Sequence, residues 1–374
     1  MSRRVGHGAK ARRAVDPGSG GRALMFHLPP NMTKQGWLDG FYGNNLRHAG
    51  ANEAVNVSGG KDSTACYLMA LERGNPFRAV FADTGNESPI TYDYIRDLPR
   101  LTGGPEIEWV KADFTRDLER KRDTIDTKWR AEGIPDAVCD RAMALMAPTG
   151  NPYLDLCLSK GRFPARRAQF CTESLKKTPL DRWAAKLAPA IIWIGVRRGE
   201  SRNRRLAQRW SKMDGPNCAY QPLIDYSAQD VFAVLKRHGV PPNPLYLQGM
   251  GRVGCFPCIH SSKGEIAAIA RRYPDAIERI AKWENLVREA SKRGESTFFA
   301  AEKAPGTPQG APIGDIVQWA TLTGQGGRQF DAFAWLENQQ PGGGCQSVYG
   351  LCETEDDAPH EVQKDYDNGT FDNG

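Results

Sequence analysis

No apolar run comes near the ~18 residues needed to cross a bilayer, and mean hydropathy is −0.55. The Arg-rich N-terminus has no apolar stretch of the kind that makes a secretory signal. A soluble, cytoplasmic protein without a membrane partner is the expectation. Cysteine is scarce, nine in 374 residues, too few for a disulfide scaffold. In a reducing compartment, clustered cysteines more often bind metal or carry redox chemistry. There is no internal repeat. Nor is there a Walker G-x-x-x-x-G-K-[ST] pattern, so γ-phosphate chemistry of that type is not implied. With 40% hydrophobic and 25% charged residues, the chain is neither collagen-like nor wholly disordered.

The net charge of +6 is unevenly spread. Residues 1–50 carry eight Lys/Arg against Asp16 and Asp39, and residues 353–374 carry eight acids against Lys364. Solvated basic and acidic arms are one reading of these ends. A basic arm that contacts nucleic acid is the other.

The middle of the chain is regular. Strands are predicted at 53–57, 77–82, 107–111 and 190–196, and helices at 63–72, 89–98, 114–130 and from Ser227 to His238. A short helix around Trp37–Tyr42 is also expected. Residues 266–293 read as one or two helices broken near Tyr273-Pro274, with a Pro/Gly-rich linker at 300–312. The alternation implies an α/β fold, a doubly wound parallel sheet with a helical C-terminal extension. The boundaries expected are a basic disordered arm at 1–22, an α/β domain at 23–240, a Cys-containing, mainly helical region at 241–352 and an acidic tail at 353–374. Ligands of such sheets bind beyond the carboxyl ends of the strands, so the loops after Val57, Ala82 and Val196 are where chemistry is expected.

The first of these loops, Ser58-Gly59-Gly60-Lys61-Asp62-Ser63-Thr64, lies between a predicted strand and helix. Its glycines let backbone N–H groups approach a phosphate, and the helix N-terminus favours an anion. Lys61 adds a mobile charge. Asp62 can orient the loop or hold Mg²⁺ with the phosphates.

This segment resembles the PP-loop of ATP pyrophosphatases and adenine nucleotide α-hydrolases. Within that superfamily the chain resembles the phosphoadenosine phosphosulfate (PAPS) reductase family. The resemblance rests on Phe81-Ala-Asp-Thr-Gly-Asn-Glu87, Cys171-Thr-Glu-Ser-Leu-Lys176, Gly195-Val-Arg-Arg-Gly-Glu-Ser201, Pro222-Leu-Ile-Asp225 and Gly254-Cys-Phe-Pro-Cys258. It covers roughly residues 50–290 and implies a Rossmann-like sheet that binds ATP or PAPS and acts at the α-phosphate. It places Asp83 and Glu87 beside the nucleotide, with Mg²⁺ on Asp62 or Asp83. Arg197, Arg198 and Arg202 would grip phosphate or sulfate oxygens, and Lys176 and Arg252 would do likewise. Lys61, Asp62, Arg197 and Arg198 are the expected catalytic set.

Cys255 and Cys258 form a C-x-x-C. In iron–sulfur reductases of this family a Cys-Cys pair precedes the Leu175-Lys176 motif and joins a later C-x-x-C on a [4Fe–4S] cluster. Here the pair is Phe170-Cys171. The resemblance therefore implies Cys171, Cys255 and Cys258 as ligands, with Cys345 or Cys352 as a fourth thiolate, or an open iron carrying an extra sulfide. Zinc at the C-x-x-C, or no metal, are the alternatives. Cys66 reads as a small buried residue. The Glu-Cys-Gly-Leu-His type tail of the thiol-dependent reductases is missing; Tyr349-Gly-Leu-Cys-Glu353 stands in the tail instead.

Three functions follow. The first is an adenylating ATP pyrophosphatase with iron–sulfur-dependent sulfur transfer to nucleic acid or a small molecule, resembling the PP-loop component of DNA phosphorothioation systems and supported by a sulfur donor or reductase protein. The second is a PAPS or adenylylsulfate reductase forming sulfite. The third is a non-catalytic nucleic-acid-binding partner with a vestigial loop.

Overall fold

The computed structural model describes residues 50–166, 168–201, 204–299 and 310–322. The basic arm, the helix around Trp37–Tyr42, Arg202, Cys345, Cys352 and the acidic tail lie outside the described residues.

The framework is a β-α alternation. Strand β1 (Asn52–Val57) leads into α1 (Lys61–Arg73). Then come β2 (Arg78–Asp83), α2 (Pro89–Thr102) and β3 (Ile107–Lys111). A helical excursion follows: α3 (Thr115–Thr124) continuing into a π-helical turn (Ile125–Trp129), then α4 (Asp136–Ala144) and α5 (Pro152–Lys160). A second π turn (Thr172–Lys177) runs into α6 (Thr178–Ala185), and the chain returns to the sheet as β4 (Ala190–Trp193). Two short strands, β5 (Trp210–Lys212) and β6 (Cys218–Tyr220), and the helix α7 (Ala228–Arg237) complete this part. The C-terminal helices are α8 (Pro244–Leu247), α9 (Lys263–Arg272), α10 (Pro274–Glu289) and α11 (Ile313–Leu322).

Among the described residues the sheet order is β3-β2-β1-β4-β6-β5, parallel except for the edge pair β5–β6. The two-residue period of a strand builds the two faces. Val55, Val57, Phe81, Ile191 and Trp193 pack with α1, α2 and α7. Ala54, Val80, Ala190 and Ile192 pack on Trp183 and Ala184 of α6. The chain runs outward from β1 to β2 and β3, and resumes on the other side of β1 at β4. The carboxyl ends of β1 and β4 therefore flank the switch point where a ligand crevice opens.

A second core is helical. Leu118, Tyr153, Leu156, Ile280, Trp283, Phe298 and Ile316 pack together, so it draws on both sides of residue 240. Buried Glu284 fastens it by accepting hydrogen bonds from Phe298 N at 2.7 Å and Ile313 N at 3.0 Å.

The helices expected from Ser227 and across Tyr273-Pro274 are present. Ser227 and Asp230 form a capping box, and Pro274 starts a new helix. Two expectations are corrected. The helix predicted over 114–130 changes to a π turn at Ile125, which keeps Ile125 and Trp129 buried. The strand predicted over 190–196 ends at Trp193, because Gly195 is pressed against the start of α1. A Cβ there would stand 2.8 Å from the Asp62 carbonyl carbon.

Candidate active site

Gly59 begins the turn after β1. Its φ is +75°, and a Cβ would meet Thr91 Cγ2 at 2.8 Å. Only glycine fits both the backbone and the space. The loop is braced internally by Ser63, whose hydroxyl accepts from Ser58 N at 2.9 Å and donates to Gly60 O at 3.0 Å. Gly60 is the N-cap of α1 and offers no side chain to it, so the helix start faces the crevice with backbone groups rather than a capping side chain.

Asp62 and Arg197 hold the two sides of the switch point together. Arg197 Nε donates to Asp62 Oδ1 at 2.6 Å, and the Arg197 side chain is 4% exposed. Lys61 Nζ lies 3.7 Å from Asp62 Oδ2. Arg198 is directed elsewhere. The backbone at Arg197 is extended, so consecutive side chains point to opposite sides. Arg198 pairs with Asp225 and donates to Ala207 O. Arg209 also reaches Asp225, at 2.9 Å. The expected pair of phosphate-gripping arginines is thus one residue at the loop, Arg197, and one tied to the Pro222–Asp225 segment.

The β2 loop carries a buried acid cluster. Asp83 accepts from Tyr92 Oη at 2.6 Å and pairs with Lys111 at 2.9 Å. Glu87 accepts from the Thr84 hydroxyl at 2.7 Å and from Tyr92 at 3.2 Å. Burial pushes the Glu87 carboxyl above its ordinary range, with Lys176 opposing it.

This cluster touches the thiol loop. Glu87 and Cys255 form an isolated antiparallel bridge. Phe256 N donates to Asn86 O at 2.6 Å and Asn86 Nδ2 to Pro257 O at 3.0 Å. Arg279 closes the joint by donating to Asn86 Oδ1 at 3.0 Å. Lys176, at the end of the second π turn, is held protonated chiefly by Cys255, then by Glu87, Cys258 and Cys171. Burial raises the Cys171 and Cys255 thiols by more than Lys176 lowers them. Beside them is a cavity of about 130 Å³ whose lining includes Lys176, Arg252, Cys255, Cys258 and His260. Burial, then Arg252 and Arg166, lower the His260 pKa, which favours neutral imidazole.

Two supports were not foreseen. Tyr246 Oη accepts from Lys61 N at 3.0 Å, and its ring lies 5.6 Å beneath the Lys61 ammonium. Asn243 Nδ2 donates to Gly59 O at 3.2 Å. Both come from the turn Pro241-Pro-Asn-Pro244 and the short α8, whose proline density marks a rigid corner.

Among the described residues, no three of His, Cys, Asp and Glu are gathered tightly enough to clasp a single ion. Cys171, Cys255 and Cys258 all act electrostatically on Lys176, and Cys255 and Cys258 line the same cavity as it does.

A sequence model of the phosphoadenosine phosphosulfate reductase domain matches residues 52–146 and 158–261, more than half of the chain. The chain belongs to the PAPS reductase family. An uncharacterized 37.8 kDa protein of Escherichia phage 186 is 41% identical over 327 residues, covering 80% of this chain and 96% of that one. The adenosine 5′-phosphosulfate reductase of Neisseria meningitidis serogroup A is 35% identical over 124 residues, 31% of this chain and 49% of the reductase. The crystal structure of PAPS reductase from Candida auris is 17% identical, covers 57% of this chain and 88% of its own, and has a TM-score of 0.36. At that score the likeness adds nothing to the sheet order seen directly. In this PAPS reductase family member the thiol loop is joined to the acid loop that follows β2. Among the described residues no helix is long and apolar enough to cross a membrane.

Proposed function

We propose that this protein binds an adenine nucleotide at the Ser58–Thr64 loop, cleaves it at the α-phosphate with loss of pyrophosphate, and couples that step to sulfur transfer. The observation that carries the reading is the glycine-built loop at the switch point, with Lys61 beside it and Asp62 locked to Arg197. Loop N–H groups and Lys61 would hold the β- and γ-phosphates. Arg197 would balance charge at the α-phosphate as pyrophosphate leaves. Mg²⁺ would be held by Asp62, whose Oδ1 takes the Arg197 bond and whose Oδ2 lies 3.7 Å from the Lys61 ammonium; both oxygens of Asp83 already face Tyr92, Gly85 N or Lys111.

Cys171, Cys255 and Cys258 would hold an iron–sulfur group, which when bound would supply reducible sulfur chemistry. Lys176 would then offset the negative charge of the thiolates. The Glu87–Cys255 bridge makes the acid loop and the thiol loop one unit, so the two half-sites are held at a fixed spacing. The acceptor would be a nucleic acid or a small nucleophile.

A second reading is reduction of an adenylyl sulfate to sulfite. It is favoured by the similarity to adenosine 5′-phosphosulfate reductases over part of the chain. One assay separates the two. Full-length protein purified without air is given ATP in one tube and adenosine 5′-phosphosulfate with a dithiol in another. Pyrophosphate from the first supports the proposal; sulfite from the second alone replaces it with the reductase.

A further inference from the structure

A second cavity, of about 180 Å³, opens just past the end of β3. Neither the Ser58–Thr64 loop nor any residue of the thiol cavity lines it. Three helical segments converge on it, each with side chains about one turn apart on one face. Asp113 and Asp117 come from the start of α3, and Lys160 from the end of α5. Ser174, Thr178 and Arg182 follow one another along the second π turn and α6. Buried Phe114 and Leu156 make part of the lining apolar. Among the described residues Lys160 and Arg182 have no carboxylate partner, and the Ser174 and Thr178 hydroxyls have no hydrogen bond. The acids are half engaged. Asp113 Oδ1 accepts from Thr115 N at 2.9 Å and from Thr115 Oγ1 at 2.6 Å. These bonds hold the Asp113 carboxyl below its ordinary range, so it stays ionised. Asp117 Oδ1 accepts from Arg120 at 2.6 Å. In both acids Oδ2 takes no hydrogen bond among the described residues.

Two cations and two carboxylates in one small cavity suit neither a polyanion, which the acids repel, nor a bare cation, which Lys160 and Arg182 repel. They suit a molecule that carries both charges on a short carbon frame. The volume is below the range of about 300–1,000 Å³ usual for larger ligands. We propose that this cavity binds a small zwitterion of the α-amino acid class. Its carboxylate is held by Lys160 and by the fork of Arg182, with the Ser174 and Thr178 hydroxyls as further donors. Its ammonium is held by Asp113 and Asp117. Neither the nucleotide loop nor the thiols take part. The second π turn lines both cavities, through Ser174 here and Lys176 at the thiols, and π turns of this kind recur at functional sites.

The test is isothermal titration calorimetry of the full-length protein with each of the common α-amino acids, and with propionate, ethylamine and inorganic phosphate. At least one amino acid should bind saturably. Propionate, ethylamine and phosphate each lack one of the two charges and should bind at least about tenfold more weakly. The double variant Lys160→Gln/Arg182→Gln and the single variant Asp117→Asn are then titrated with the best amino acid. Lys160 and Arg182 are exposed and Asp117 is half-exposed, so both variants should keep the wild-type circular dichroism spectrum. Each should lose about tenfold or more in affinity. No binding of any amino acid at millimolar concentration overturns the proposal. So does phosphate that binds as tightly as the best amino acid, which would make the cavity a plain anion site. Unchanged affinity in either variant overturns it equally, because the amino acid would then be bound elsewhere.

Discussion

Arg197 donates through Nε to Asp62 Oδ1 at 2.6 Å, joining the end of β4 to the start of α1 across 135 positions of sequence. The arginine is almost wholly buried and the aspartate nearly so. Removing one partner of such a pair leaves a charge without compensation, at about 3–5 kcal/mol. Asp62→Ala should fall near the lower end, since its carboxylate keeps some water. Asp62→Ala with Arg197→Met should cost less than the two single changes added, by about 0.5–3 kcal/mol of coupling. Urea unfolding of the four proteins measures it; strict additivity would mean the pair is not a unit.

Gly59 has both a left-handed backbone and no space for a methyl group. Gly59→Ala should destabilise the fold by about 1–3 kcal/mol and weaken nucleotide binding more than stability alone explains, because Thr91 must shift and take the loop with it. Shaving Thr91 to Ser in the same protein removes the nearest contact, so part of the loss should return. Calorimetric melting and a nucleotide titration read both effects.

Tyr246 accepts the Lys61 N–H and lies under its ammonium. Tyr246→Phe keeps the ring and removes only the acceptor. Stability should fall by about 0.5–1.5 kcal/mol, while the cation–ring contact persists. Tyr246→Leu should lose both and cost more. Equal melting temperatures for the Phe variant and wild type would show that the hydroxyl contributes nothing to the loop.

Much of this was readable in the residues, and the failures have physical causes. β1, β2 and β3 were found within a residue at each end because their apolar runs are bounded by Gly, Pro or Asp. The loop at 58–64 was legible because glycines, Lys61 and Asp62 sit between a strand and a helix. β5 and β6 are three residues each and too short to show a period. The end of β4 at Trp193 depends on Gly195 touching α1, a tertiary contact that no local pattern records. Arg197 and Arg198 read alike in sequence, and only the extended backbone separates their directions. Tyr246 and Asn243 reach the loop from about 185 residues away; the proline-rich turn that holds them was the one available signal.

Glu87 gives a pH dependence with a definite sign. Burial raises its folded pKa above the unfolded value of about 4.3. The folded state therefore binds the proton more tightly, and this contribution to stability is complete below the unfolded pKa. It is lost as pH rises through the raised folded value. Glu87→Gln mimics the protonated form and should flatten that segment of the curve, making the variant relatively more stable at neutral pH. Urea midpoints at several pH values between 4 and 8 test this; parallel curves for the two proteins would rule it out.

The most direct measurement is nucleotide binding and pyrophosphate release by wild type, Lys61→Ala and Asp62→Ala, each first shown to be folded. Wild type should bind ATP in a Mg²⁺-dependent manner and release pyrophosphate, and both variants should lose most of that turnover while keeping their circular dichroism spectra. Wild-type protein that binds no adenine nucleotide, or variants that release pyrophosphate at the unaltered rate, would contradict the account.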